Sequence, residues 1–214
     1  IYAEKCTFCG VCKEYCNYNA IFYLPFSKMI YVMDDLCHDC GACLYGCKYS
    51  AITEKDTVLG HINLYCKNGR NTLIESRTKV GVYSSVPAVK LAISQVSQSE
   101  NVIFDAPPGI SCPFIHTVAH ADFVVLVAES TPFGLSDLKQ TVETLKTLDK
   151  QYGVVVNKSG LGDLDIYEYL KHENIPILME LPFDEQIAYL YSNGKLIVEA
   201  DRKWEVKFLS LYEN

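Results

Sequence analysis

The chain has 214 residues and a formal net charge of −7, from 19 Lys and Arg against 26 Asp and Glu. Hydrophobic residues make up 49% of it, yet the longest purely apolar run, residues 123–128, is far too short to cross a bilayer. No run of basic residues offers the surface that a phosphate backbone requires, so we expect neither a nucleic acid nor a membrane as a partner.

The ten cysteines are spread very unevenly along the chain. Eight of them lie in two short runs, and only Cys66 and Cys112 lie elsewhere. A disulfide framework distributes its cysteines along the segment that it staples, whereas these follow one another at gaps of two and three residues. The pattern indicates metal ligation in a reducing compartment, and since no secretory leader is visible we expect the cytoplasm.

The two runs form an internal repeat. Residues 6–21, CTFCGVCKEYCNYNAI, return thirty-one residues later as CHDCGACLYGCKYSAI, residues 37–52. Both follow the spacing C-x2-C-x2-C-x3-C, which lets three thiolates from one tight loop wrap three corners of a 4Fe–4S cube. Gly10 and Gly41 fall inside these loops, where a side chain would crowd the cube or a positive φ is required.

Residues 1–56 resemble the bacterial two-cluster ferredoxins, a small α+β domain. The resemblance implies that the fourth cysteine of each run binds the cluster of the other run. One cluster then has the ligands Cys6, Cys9, Cys12 and Cys47, and the other has Cys37, Cys40, Cys43 and Cys16. Asn17 and Lys48 stand where these ferredoxins have a proline, which loosens a turn but removes no ligand. The alternative is a pair of structural zinc sites, whose ligands usually come in two separated pairs.

The pattern changes from residue 58 onward. Apolar runs typical of strands buried on both faces occupy residues 101–105, 122–129, 152–157 and 175–181. Apolar residues at helical spacing lie between them, over residues 86–96 and 135–148. This alternation predicts an α/β fold with a doubly wound, mostly parallel sheet. Residues 59–74 are instead typical of a hairpin with its turn at Asn68-Gly69.

Two of the predicted strands end in polar residues of chemical interest. Asp105 closes an apolar strand, as in the Walker B arrangement that organises Mg²⁺ beside a nucleotide. Asn157 ends another strand, where its amide could contact a purine. Ligands of parallel sheets bind at the carboxyl ends of strands. Each residue taken alone is equally consistent with a strand-end cap.

Together with ESTPFGLSDL (129–138) and LPFDEQIA (181–188), these strand ends resemble the MinD/ParA family of P-loop ATPases. Within that family the chain resembles the members that carry an inserted ferredoxin domain. The resemblance implies that Asp105 lies near Mg²⁺, that Asn157 contacts the base of ATP or ADP, and that Pro182 and Phe183 close over the adenine. We therefore expect a ferredoxin-like domain over residues 1–57 and part of a nucleotide-binding domain over residues 58–214.

The glycine loop that opens this family, K-G-G-x-G-K-S/T, has no counterpart here. The only Gly-Lys pair, Gly194-Lys195, is followed by Leu196 rather than Ser or Thr. That loop cradles the phosphates of the nucleotide and follows a central strand. We expect a preceding segment to supply both, with a second polypeptide as the alternative, and we expect this chain alone to bind ATP poorly.

The two remaining cysteines have no role in these patterns. Cys112 lies seven residues after Asp105, an offset that resembles the cluster cysteine of the nitrogenase iron protein. Cys66 is a weak candidate for the second cysteine that such a bridging cluster would need. The simpler interpretation of Cys112 is a buried or idle thiol.

Two functions follow from these expectations. The first is ATP-gated electron transfer to a partner protein, with two permanent clusters and a homodimer or paired MinD-like subunit sandwiching the nucleotide. The second is an iron–sulfur carrier similar to the Mrp-type proteins, in which a cluster would be labile. A complete set of eight ligands favours the first. A partitioning ATPase is disfavoured, since the C-terminal segment lacks a basic amphipathic pattern.

Overall fold

A computed structural model describes residues 1–67, 71–96 and 101–213. Its contacts divide the chain into two compact units, Ile1–Val102 and Ile103–Asn214. The hairpin and the helix after it therefore group with the cysteine runs, and the predicted domain boundary at residue 57 stays a prediction. Within the described ranges, no helix is both long enough and apolar enough to cross a membrane.

The first unit contains short elements joined by turns. In chain order they are α1 (Val11–Glu14), β1 (Ile21–Leu24), β2 (Met29–Val32), a 3-10 turn (Asp34–Leu36), α2 (Ala42–Gly46), β3 (Gly60–Lys67), β4 (Asn71–Thr78) and α3 (Val86–Ser94). Strands β1 and β2 pair antiparallel, as do β3 and β4. The β3–β4 pair confirms the predicted hairpin, whose expected turn at Asn68-Gly69 lies outside the described residues.

The sequence repeat is also a structural repeat. Positive φ angles at Phe8, Gly10 and Asn19 recur at Asp39, Gly41 and Ser50, always thirty-one residues later. Backbone hydrogen bonds join the halves reciprocally: the Tyr2 N–H donates to the Ala51 carbonyl and the Met33 N–H to the Ala20 carbonyl, each at 2.7 Å. Ala20 and Ala51 are 2% exposed. Each half of the repeat therefore donates a backbone hydrogen bond to the other half, and these bonds join the two halves that carry the cysteine loops.

The second unit is a parallel α/β structure. Its elements are α4 (Cys112–Val118), β5 (Phe123–Glu129), α5 (Pro132–Thr147), β6 (Gln151–Ser159), α6 (Asp165–His172), β7 (Ile177–Pro182), α7 (Glu185–Ser192), α8 (Ile197–Ala200) and α9 (Arg202–Glu213). Strands β5, β6 and β7 form a parallel sheet in that order. The apolar periodicity over 135–148 is confirmed, since Leu138, Val142 and Leu145 of α5 pack into the core of this unit.

One strand prediction was wrong, and another was wrong in part. Residues 101–105 form no strand, because a strand needs a neighbour for its backbone hydrogen bonds and no described strand lies beside them. β5 is buried on one face only: Val124 is 8% exposed, whereas Val125 and Val127 on the other face are 45% and 65% exposed. Val125 and Val127 are not part of the core of this unit, because within the described residues no core element covers this face of β5.

Candidate functional site

Cysteines from both runs line one cleft of the first unit. The cleft is narrow, with a volume of about 20 Å³. Three of its cysteines, Cys6, Cys9 and Cys12, come from the first run, and the fourth, Cys47, is the last cysteine of the second run. Apolar residues such as Ile52 complete its wall. The fold therefore brings together the four residues that the crossed ligand scheme assigns to one cluster.

The other four cysteines are also associated across the repeat. Burial raises the pKa of the Cys43 thiol, and the nearby Cys37 and Cys16 thiols add smaller increases by charge repulsion. Cys16 and Cys43 also pack on the same small apolar cluster. Cys40 is exposed on the same loop. The last cysteine of the first run thus lies beside the three-cysteine loop of the second run.

The chemistry of these sulfurs fits a cluster. Burial raises the pKa of the Cys12 thiol, and neighbouring thiols of its own loop, among them Cys6, raise it further. Buried thiols close to other thiols stay protonated unless a positive charge nearby stabilises the thiolate form, and an iron core would supply that charge. Backbone N–H groups point at sulfur, from Phe8 to Cys6 Sγ at 3.4 Å and from Ala20 to Cys16 Sγ at 3.3 Å. Hydrogen bonds of this kind tune ligated thiolates.

Left-handed glycines shape the two loops. Gly10 and Gly41 have φ angles of 80° and 71° and immediately precede α1 and α2. A Cβ at Gly10 would lie 2.9 Å from the Tyr23 ring. The Tyr23 hydroxyl donates to the Phe8 carbonyl at 2.5 Å, which ties β1 to the first cysteine loop.

A single metal ion is a different matter from a cluster. In the part of the chain that the structure describes, no three or more His, Cys, Asp or Glu side chains converge closely enough to hold one ion. A structural zinc ion needs four such ligands, with zinc–sulfur distances of about 2.3 Å. The ligands of a 4Fe–4S cube are instead held apart, because each binds a different corner.

The predicted base-contacting residue Asn157 has a contact of its own in the second unit. Its Oδ1 accepts the N–H of Lys158 at 3.0 Å, at the end of β6. The hydroxyl of Ser130, which is 1% exposed, donates to the Lys158 carbonyl at 3.2 Å. Lys158 Nζ lies 2.7 Å from Glu129 Oε1. Asn157 thus caps its strand end here, and its contact with a base stays a prediction.

Pro182 and Phe183 lie at the same edge of the sheet as Asn157. Pro182 pairs with Ser159 in the β6–β7 register, and the Phe183 N–H donates to the Ser159 carbonyl at 3.0 Å. The Phe183 side chain is 49% exposed. Three of the four predicted nucleotide residues therefore share the carboxyl edge of the parallel sheet, where ligands of such sheets bind.

An open cavity of about 410 Å³ lies beside these strand ends. Its polar lining includes Ser159 and Asp163, and the Tyr167 hydroxyl donates to Glu180 Oε2 at 3.3 Å. Burial raises the pKa of Tyr167, and the Glu180 carboxylate raises it further. Sequence reasoning missed Tyr167 and Glu180, although a charged residue inside the apolar run 175–181 was a usable signal.

Asp105 lies in an irregular, exposed segment rather than at the end of a strand. The next residue, Ala106, packs against the core of the second unit, so the carboxylate is anchored near that core. The structure thus keeps Asp105 at the surface of this unit but does not provide the strand that was expected to present it. Its role beside Mg²⁺ stays a prediction.

The thiols of Cys66 and Cys112 are both exposed. Cys112 is therefore not a buried thiol, and its interpretation as an idle thiol stays a prediction. It occupies the first position of α4, after the turn that contains Gly109.

No known family model matches the chain. Two uncharacterized proteins of Methanocaldococcus jannaschii are similar to it in sequence. MJ0578 is 30% identical over 116 residues, which cover 54% of this chain and 40% of that protein. MJ0579 is 31% identical over 175 residues, which cover 79% of this chain and 58% of that protein. The chain therefore spans only about half the length of these two relatives.

Among solved structures, the MinD cell division protein of Aquifex aeolicus is similar over 59% of this chain and 57% of its own. The TM-score is 0.46 and the sequence identity is 22%. A likeness at this level is too low to assign a fold family.

Proposed function

We propose that the chain carries two 4Fe–4S clusters on a MinD/ParA-type ATPase and passes electrons to a partner protein under the control of ATP. The observation that carries this proposal is the presence of Cys47 in one cleft with Cys6, Cys9 and Cys12. The ferredoxin spacing requires a fourth ligand that crosses between the two runs. A structural zinc site would instead draw its four ligands from two separated pairs, which the two runs do not offer.

The residues of the first unit would hold the clusters without help from the second unit. When bound, each cluster would accept and release single electrons at low potential. The cysteine thiolates would ligate it, and the Phe8 and Ala20 N–H groups would donate to ligating sulfurs. Buried Ile21 and Ile52 would keep water from the space between the two loops. We place such thiolates in a reducing compartment, the cytoplasm.

Iron analysis tests this proposal directly. Protein prepared without oxygen should contain about eight iron atoms per chain, four for each cluster. It should also contain an equal amount of acid-labile sulfide. A value near two metal ions per chain, with zinc present and no sulfide, would contradict the proposal and restore the zinc interpretation.

The nucleotide half of the proposal rests on the edge of the parallel sheet. Phe123, Val125 and Val127 present an apolar face that is 46%, 45% and 65% exposed. A new parallel strand would pair the backbone groups at the outer edge of β5, and the crossover helix joined to such a strand would cover this face and remove apolar area from water. We propose that the strand carrying the glycine loop pairs with β5, whichever segment or polypeptide supplies it.

Two substitutions test the nucleotide site in protein that also includes the glycine loop. Asp105→Asn should abolish ATP turnover with little loss of affinity, because it removes a charge that organises Mg²⁺ and the attacking water. Asn157→Ala should instead weaken ATP binding and relax the preference for adenine. Affinity and turnover measured for both variants check this. Equal losses of both quantities in both variants would mean that the two residues do not have these separate roles at a nucleotide.

A cluster carrier similar to the Mrp-type proteins is the second candidate, and the exposure of Cys9, Cys37 and Cys40 favours it. Exposed ligands can be reached by an acceptor protein. Incubation with an iron-free ferredoxin separates the two functions. A carrier should transfer its cluster within minutes, whereas an electron-transfer protein should retain both clusters.

A further inference from the structure

The first site is the set Cys6, Cys9, Cys12 and Cys47, and the second site is the set Cys37, Cys40, Cys43 and Cys16. The two sites differ in one respect that the repeat does not explain. Tyr18 and His38 stack with ring centroids 3.6 Å apart and planes 7° apart. His38 also contacts Tyr83, with centroids 4.1 Å apart and planes inclined by 54°. At the corresponding positions of the other half, thirty-one residues away, stand Thr7 and Tyr49. Threonine has no ring, so the first site has no equivalent stack.

The positions of Tyr18 and His38 connect the parts of the second site. His38 lies between Cys37 and Cys40 in the three-cysteine loop. Tyr18 follows Cys16, the crossed fourth ligand, by two residues. A stack between these rings therefore joins the loop to the crossed ligand through the side chains themselves. In the first site, by contrast, the residues corresponding to this ring pair line the cleft beside the sulfurs.

The third ring comes from outside the repeat. Tyr83 belongs to the connection between β4 and α3. Helix α3 in turn contacts both strands of the β3–β4 hairpin. His38 is half-buried between the two tyrosines, whereas Thr7 is exposed. The hairpin and its helix thus contribute a side chain to one cysteine site.

We propose that Tyr18, His38 and Tyr83 form a clamp that positions the ligands of the second site and slows the loss of its cluster relative to the first. The inference rests on the proposed function, since it assumes that both sites hold clusters. His38 is a positioning residue here, because its ring acts through Cys16 and the Cys37–Cys40 loop. A cluster leaves when its ligand loop opens, and each ring contact that must break makes opening rarer.

Release of iron to a chelator tests the clamp. The unaltered protein should lose its iron in two phases of similar size, and EPR spectra should assign the slower phase to the second site. His38→Thr gives the second site the residue that the first site has. It should accelerate the slow phase about fivefold, the effect expected from one aromatic contact, and leave the fast phase unchanged. Tyr83→Ala should do the same to a similar or smaller extent.

Two further variants separate stacking from other effects. His38→Phe retains a flat ring without nitrogen atoms and should keep the slow phase. Tyr45→Ala removes a tyrosine of the second repeat that is 87% exposed, and it should leave both phases unchanged. The clamp is overturned if His38→Thr changes neither phase or changes both equally. It is also overturned if His38→Phe accelerates the slow phase as much as His38→Thr does. Wild-type protein with fewer than eight irons would instead overturn the proposed function, and the clamp with it.

Discussion

Replacing Cys16 with serine is expected to remove the cluster held by Cys37, Cys40 and Cys43, rather than the cluster of its own run. The reason is the association of the Cys16 thiol with Cys43 across the repeat. Iron content should fall to about half, since one of two four-iron clusters is lost. EPR of the reduced variant should show one unaltered cluster signal and the loss or alteration of the other.

Cys47→Ser is the matched counterpart. Because Cys47 lines the cleft of Cys6, Cys9 and Cys12, its replacement should remove the complementary EPR signal and the same fraction of iron. The two single variants should therefore retain different clusters, and the double variant should retain neither. Loss of the same signal in both variants, or loss of the cluster adjacent in sequence, would contradict the crossed arrangement.

Gly162→Ala is expected to destabilise the second unit by about 3 kcal/mol, an overpacking cost near the upper end of the usual range. A Cβ at this position would overlap the Ser130 carbonyl oxygen, and that atom belongs to the backbone at the end of β5. Neither side of the contact can rotate away. Chemical denaturation followed by tryptophan fluorescence measures the effect, because Trp204 is the single tryptophan and is 5% exposed.

Gly160→Ala in the same loop is the control. Gly160 has a φ of 86°, but a Cβ there would have no neighbour within 4 Å. The substitution should therefore cost only the penalty of a left-handed residue, about 1 kcal/mol. If the two variants lose equal stability, the close approach of Gly162 to Ser130 is not what limits this loop.

The stability of this loop affects the carboxyl edge of the parallel sheet, where the predicted nucleotide residues Asn157, Pro182 and Phe183 lie. Both glycines line the cavity beside Tyr167 and Glu180. A shift of the loop would move these two side chains together with the end of β6. We therefore expect Gly162→Ala to affect any ligand of the cavity more strongly than Gly160→Ala does.

Local patterns in the sequence were sufficient where a repeat or a periodicity specifies the structure. The cysteine spacing predicted the two facing loops, and the structure brings Cys47 to the first loop as the crossed scheme requires. The apolar stripe over residues 135–148 predicted α5, because burial of one helical face depends only on residues three and four apart. Both signals are contained in short stretches of chain.

Strands were less predictable, because a strand depends on its neighbours. Residues 101–105 have the apolar composition of a buried strand but no described strand to pair with, so they stay irregular. β5 has the composition of a strand buried on both faces, yet within the described residues only one of its faces packs into the core, and Val127 on the other face is 65% exposed. The number of covered faces is a property of the assembled sheet.

The sequence by itself determined the cysteine loops, the main helices and the alternation of strand and helix, since these follow from spacing and periodicity. Only the tertiary structure decided that Tyr83 contacts His38 and that the Glu180 carboxylate accepts a hydrogen bond from the Tyr167 hydroxyl. Such contacts join residues that the sequence pattern treats as unrelated, and they exist only because packing of larger elements brings those residues within reach.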